Sequence, residues 1–160
     1  MASLHKITPH LWFDGNAEEA VNFYVSIFEN SRILNMSRYG DAGPGPKGSV
    51  MAIGFELQGQ PFAAVNGGPM FKFNEAISFL IWCDNQKEID RLWSKLLPGG
   101  QEQACGWLKD KYGLSWQVNY ARIPEMMSDS DPARANRVVK AMMQMVKVDV
   151  QKLEDAYNGR

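Results

Sequence analysis

One pattern occurs twice along this chain of 160 residues. Leu11-Trp12-Phe13-Asp14-Gly15-Asn16-Ala17-Glu18-Glu19-Ala20 returns, loosely, as Leu80-Ile81-Trp82-Cys83-Asp84-Asn85-Gln86-Lys87-Glu88-Ile89. Each copy reads as an apolar strand, then Asn, then a helix. The apolar helix positions also correspond: Ala20, Phe23, Tyr24 and Ile27 against Ile89, Leu92, Trp93 and Leu96. A repeated unit restricts the fold more than any local propensity, because both copies need the same architecture around them.

Ile7 to Phe13 reads as a strand whose start Pro9 demotes to an edge. Asn16 is placed to cap a helix running to about Phe28, with Glu18 and Glu19 in the first turn, where the helix dipole favours anions. Ser31 to Tyr39 and Val50 to Leu57 read as strands, Gly59-Gln60 as a hairpin turn, and Pro61 to Asn66 as the next strand, ended by Asn66-Gly67-Gly68-Pro69. The second half keeps this order. Ala76 to Cys83 is a strand, Asn85 a cap, and Gln86 to Leu97 a helix stopped by Pro98-Gly99-Gly100. A short strand within Gln101 to Leu108, a turn at Asp110 to Gly113 and a strand Leu114 to Tyr120 follow.

The predicted class is therefore α+β. Two β-α-β-β-β modules, 7–66 and 76–120, form a curved, half-open barrel within a single domain, 1–160. A C-terminal helical tail, 131–157, is capped by Asp131 with Pro132 at the first helical position. Val138, Met142 and Met145 form the apolar stripe of that helix, widened by Val139 and Met143. The stripe is expected to dock on the sheet or on a second subunit.

Charge and composition exclude several functions. Seventeen basic and 18 acidic residues leave a net charge of -1, which gives no steering field for nucleic acid. Cys83 and Cys105 form neither a C-x-x-C pair nor a disulfide framework, so a reducing cytoplasm is the expected compartment. Met1 to Pro9 is too short and polar for a signal peptide. No apolar run approaches the ~20 residues that span a bilayer. A protein acting on something small, or on another protein, is what remains, with no nucleic-acid or membrane partner expected.

Gly40 to Gly48 is a loop by composition. A phosphate cradle would lead such glycines into a helix N-terminus, whereas a strand follows here. Cys105 has no His nearby in sequence to activate it and reads as an inert thiol. Asp110 reads as a turn former before it reads as an acid catalyst.

Three stretches carry a family resemblance: Ile7-Thr8-Pro9-His10-Leu11-Trp12-Phe13-Asp14-Gly15-Asn16 through Phe23-Tyr24, Asn66-Gly67-Gly68-Pro69, and above all Gly106-Trp107-Leu108-Lys109-Asp110-Lys111-Tyr112-Gly113-Leu114-Ser115-Trp116-Gln117. The tail around Ala141 to Lys147 adds to them. Through these the chain resembles the vicinal oxygen chelate superfamily, which includes glyoxalase I and the bleomycin-resistance proteins. It is most similar to the PhnB-like branch, often labelled 3-demethylubiquinone-9 3-methyltransferase.

The resemblance implies a ligand cleft between the two modules and, in metal-dependent members, four metal ligands. Two are His on the first strand of each module, and two are usually Glu on the last. Carried over, the His positions fall near Thr8 or Pro9 and near Ser78, and the carboxylate positions near Ala63 and at Gln117. A hydroxyl and a neutral amide bind divalent metal far more weakly than imidazole and carboxylate. No metal and no cofactor is therefore expected. His5 and His10 lie near the first ligand position, but one His does not hold a catalytic metal alone.

The expected ligand-binding set is His10, Trp12, Asn66, Ser78, Trp107 and Gln117, an aromatic and amide lining of the kind small-molecule sites use. No reaction is assigned. Alternatives are a metal-assisted lyase, isomerase or dioxygenase with atypical ligands including His10, a sequestering module without turnover, and the labelled methyltransferase. The last lacks the glycine-rich strand-to-helix turn of common adenosylmethionine enzymes. The resemblance and the Met-rich tail together imply a homodimer.

Overall fold

Both copies of the repeat fold as β-α-β-β-β in the computed structural model, which describes residues 6–160. They fall in separate units, Met1–Phe73 and Asn74–Arg160.

Unit 1 contains β1 (His10–Phe13), α1 (Ala17–Ile27), β2 (Arg32–Arg38), β3 (Val50–Leu57) and β4 (Gln60–Asn66). Its sheet has the order β1-β4-β3-β2, with β1 parallel to β4 and the other pairs antiparallel. Pro9 lies just outside β1. Lacking an N–H, it contributes only its carbonyl, which accepts from Ala63 N at 2.9 Å.

Period-2 alternation sorts the side chains. Leu11, Phe13, Ile53, Phe55, Leu57, Phe62 and Ala64 are buried, as are Ala20, Val21, Tyr24 and Ile27 of α1. Phe23, expected inside, is half-buried, and Val21 takes the interior place. The other sheet face, with His10, Trp12, Ala52, Gly54, Ala63 and Val65, stays part-open.

Two local expectations shift. The Asn16 side chain makes no cap bond. The N–H of Ala17 goes instead to Asn66 Oδ1 on β4, at 2.9 Å. The hairpin turn sits one residue early. Gln58 and Gly59 both adopt left-handed backbone (φ 52° and 77°), the conformation a two-residue turn needs between Leu57 and Gln60.

Unit 2 repeats the topology with β5 (Ser78–Cys83), α2 (Gln86–Leu96), β6 (Gln101–Glu102), β7 (Trp107–Lys109) and β8 (Ser115–Tyr120), in the order β5-β8-β7-β6. The single strand expected before residue 108 is two short ones. Asn85 caps α2 as expected. Its Oδ1 accepts from Glu88 N at 3.0 Å, while Glu88 Oε2 accepts from Asp84 N at 2.9 Å. Ile89, Leu92, Trp93 and Leu96 are all buried.

The tail departs from the sequence reading. Within 131–157 it is two helices, α4 (Pro132–Met142) and α5 (Val150–Asn158), rather than one continuous helix, and a short helix, α3 (Ile123–Met127), precedes it. Asp131 caps α4 through Ala133 N, as expected. α4 ends at Met142 in a tight turn, Gln144 N donating to Ala141 O and Met145 N to Met142 O. It does not resume at once because the carbonyls of Met145 and Val146 accept from Cys105 N (2.8 Å) and Gly106 N (2.7 Å). Carbonyls used this way are lost to an i→i+4 ladder. Asp149 restarts the helix by accepting from Lys152 N at 3.0 Å. The apolar stripe is correspondingly narrower. Val138 and Met145 are buried, but Val139 and Met143 are exposed. No described helix is long and apolar enough to cross a membrane.

Asp90 pairs with Lys147, and Asp129 accepts from Tyr157 Oη at 2.6 Å. These contacts tie the tail down within unit 2. The Lys147 hydrogen bond holds the Asp90 carboxyl below its ordinary range, and the Tyr157 hydroxyl does the same for Asp129. A depressed carboxylate stabilises fully above its unfolded pKa of about 3.9 and loses that contribution as pH falls through the lower folded value. Protection of amides 143–149, taken relative to the intrinsic exchange rate at each pH, is therefore expected to fall below about pH 4 while that of β8 holds. Hydrogen exchange at stepped pH measures this, and a pH-independent pattern would contradict it.

Candidate functional site

Strand register within each unit lets the two copies be compared position by position. In unit 1, His10 pairs with Ala63, Ala63 with Gly54, and Gly54 with Asn35. In unit 2, Leu80 pairs with Gln117, and Gln117 with Trp107. With Ala63 and Gln117 equivalent, as the sequence alignment of the two hairpins has them, His10 rather than Leu11 is the counterpart of Leu80, so the strand part of the repeat is shifted by one residue. The exposure of Leu80 and Trp82, against buried Leu11 and Phe13, agrees.

Unit 2 brings together three of the six expected residues. Gln117 Nε2 donates to Ser78 Oγ at 2.9 Å, and Trp107 is the register partner of Gln117 on β7. All three are half-buried on one face of the sheet. On either side of Gln117 along β8, Ser115 Oγ and Asn119 Oδ1 are buried without a hydrogen-bond partner among the described residues. Lys109 lies on the same strand as Trp107 and pairs with Glu75. The Lys109 hydrogen bond holds the Glu75 carboxyl below its ordinary range.

In unit 1, His10 is exposed on β1. Trp12 is committed to the chain itself. Its Nε1–H donates to Gly68 O at 2.8 Å, and its ring meets Phe71 edge-on at 4.9 Å. Gly67 has to be glycine here, since a Cβ would stand 2.2 Å from the indole. Asn66 is similarly engaged. Its Oδ1 accepts from Ala17 N, its Nδ2 donates to Val50 O at 3.0 Å, and its carbonyl accepts from Tyr39 Oη at 2.7 Å. His5 lies outside the described residues.

The sequence reading missed Asn35, whose amide lies across Gly54 within about 3 Å of where a Cβ would be. A glycine inside a strand marks such close approaches, so Gly54 was the available signal.

Asp110 is a structural residue. Oδ1 accepts from Tyr112 N (2.8 Å) and Leu114 N (3.0 Å), and Oδ2 from Trp116 Nε1 (2.9 Å), at 2% exposure. Cys83 is buried, and desolvation pushes its thiol up to about 12. Cys105, expected to be a buried, inert thiol, is instead half-buried, with left-handed backbone (φ 60°) and its Sγ 3.8 Å from Met143 Sδ. A thiol reagent at pH 8 is expected to label Cys105 and spare Cys83 until denaturant is added, as mass spectrometry of the labelled peptides would read. Equal labelling of both in the native protein would contradict the burial.

The family described as 3-demethylubiquinone-9 3-methyltransferase matches residues 5–119, more than half of the chain. The chain belongs to this family. A PhnB protein of Bacillus cereus with the same label is 41% identical, covers 71% of this chain and 97% of its own, and superposes with a TM-score of 0.66. A Pseudomonas aeruginosa protein is 25% identical over 71% of this chain and 95% of its own, with a TM-score of 0.58. A glyoxylase/bleomycin resistance protein/dioxygenase domain from Frankia is 17% identical over 71% of this chain and 95% of its own, with a TM-score of 0.44. No curated protein matches the chain significantly. The family match stops before the tail helices.

The resemblance to the vicinal oxygen chelate superfamily raises the question of whether the carried-over positions could hold a metal. The positions carried over hold Thr8 or Pro9, the Ser78 hydroxyl and the Gln117 amide bonded to one another, and a methyl group at Ala63. Among the described residues no group of three His, Cys, Asp or Glu could hold an ion. That donor set does not fit a divalent metal, which favours imidazole and carboxylate. The family label also has a geometric test. The loop Gly40 to Gly48 joins β2 to β3 as a hairpin, with Tyr39 N donating to Ser49 O and Gly48 N to Tyr39 O. It does not lead into a helix, as a phosphate or adenosylmethionine cradle of the common kind would.

Proposed function

We propose that this PhnB-like protein binds a small polar or aromatic molecule on the part-open sheet face, without the usual metal of its superfamily. The observation that carries the reading is the Gln117–Ser78 pair beside Trp107. A neutral amide, a hydroxyl and an indole offer hydrogen bonds and stacking, the lining of a recognition site rather than of a charged catalytic centre.

Ligand-detected NMR against small aromatic acids, amides and phenols tests this. At least one class is expected to bind wild type and to weaken about tenfold in Gln117→Ala and Ser78→Ala, each checked for folding by circular dichroism. Binding that ignores both substitutions sinks the reading. Stoichiometric Zn, Ni, Mn or Fe by elemental analysis would favour the metal-assisted alternative. Micromolar binding of adenosylmethionine by calorimetry would favour the labelled methyltransferase.

A further inference from the structure

Unit 1 contains a cavity of about 510 Å³, within the range of small-molecule sites. It lies where β1 and β4 end, and none of His10, Ala63, Gly54 and Asn35 lines it. We infer that this cavity is a second binding site, for a small organic amine in its protonated form.

The wall is built to stay open. Tyr39 is buried, and its hydroxyl is fixed on Asn66 O. The β2–β3 loop lies flat on the ring. A Cβ on Gly43 would stand 2.7 Å from it, and one on Gly45 2.3 Å. Asn66 in turn is held at both ends of its amide, by Ala17 and Val50. Collapse of the cavity would break these contacts together.

Charge selects the ligand. Asp14 and Glu18 both line the cavity, and neither carboxylate has a hydrogen-bond or ion-pair partner among the described residues. Arg38 lines it too, but its Nη1 donates to Gly48 O at 3.1 Å and so braces the loop. Two carboxylates against one guanidinium leave the lining net negative. The positive end of α1, which would oppose a cation, already has Asn66 Oδ1 on Ala17 N and two glutamates in its first turn. The Tyr39 ring edge, Pro44 and Pro46 offer an apolar wall for the body of the ligand. A bare metal ion would leave most of this volume and the apolar wall unused.

The test is titration followed by amide shifts in ¹H–¹⁵N NMR, using benzylamine, its neutral isostere benzyl alcohol, and benzoate. Benzylamine is expected to shift amides of 14–18 and 39–49, to bind at least about tenfold more tightly than benzyl alcohol, and to weaken about tenfold in the Asp14→Asn/Glu18→Gln double variant. Benzoate is expected to shift none of them. Both substituted side chains are near the surface, so folding is expected to survive, and the spectrum reports it directly. Equal binding of benzyl alcohol, an unaffected double variant, or displacement of benzylamine by calcium chloride at matched ionic strength would each overturn the inference. Gln117→Ala is expected to leave benzylamine binding unchanged, which separates this site from the one on the sheet face.

Discussion

Replacing Asp110 with Ala is expected to cost about 4 kcal/mol of folding stability, since hydrogen bonds to a buried charged group are worth about 1.5–3 kcal/mol each and their donors would be left unsatisfied. The buried carboxylate accepts from Tyr112 N, Leu114 N and Trp116 Nε1. Urea denaturation would show the midpoint falling by about 2 M at a typical slope. Asp110→Asn is the informative partner. It keeps an oxygen for the two backbone donors but sets an N–H against the indole N–H, so an intermediate loss is expected. In Trp116→Phe that conflict disappears, and Asn at 110 should cost less than in the wild-type background. Losses within about 0.5 kcal/mol for all of these variants would mean that the turn does not depend on Asp110.

Gly106→Ala is expected to lose about 3 kcal/mol, combining ~1–2 kcal/mol for a left-handed non-glycine with ~1–3 kcal/mol of overpacking. At φ 80° its Cβ would stand 2.3 Å from Asn119 Oδ1, 2.9 Å from Val148 Cγ2 and 3.0 Å from the carbonyl of Val118. That carbonyl is backbone in the middle of β8 and cannot swing aside. Gly113 is the control. It has φ 86° but nothing within 4 Å of a Cβ. Gly113→Ala should therefore show only the conformational cost, about 1–2 kcal/mol. Thermal or urea unfolding of the two variants isolates the packing part by difference, and equal losses would show that it is negligible. Because Gly106 N also donates to Val146 O at 2.7 Å, exchange at 143–149 should quicken in Gly106→Ala alone.

Much of the fold could be read from local pattern. The duplicated strand-Asn-helix unit, the buried face of α2 and the Asn85–Glu88 cap all depend on residues a few positions apart. The candidate site was legible only in part. Ser78, Gln117 and Trp107 come together because the repeat fixes their strand positions. Asn66 and Trp12 could equally have served a ligand or the chain. Only packing shows that the Asn66 amide bonds Ala17 and Val50, and that the Trp12 indole bonds Gly68. The tail misled for a related reason. Its apolar spacing fits one helix, but two carbonyls are drawn away by Cys105 and Gly106, some forty residues earlier.

The sequence alone determined the doubling of the module and the order strand, helix, strands within each copy, while the core-facing side of the continuously apolar β5 was left to packing. Periods of 2 and 3.6 residues are geometric properties of the backbone and need no partner. Tertiary structure determined which polar groups satisfy one another. Asn66 reaches Ala17 across 49 residues, and Gln117 reaches Ser78 across 39. Such bonds depend on register and on what else competes for each donor, which no local pattern encodes.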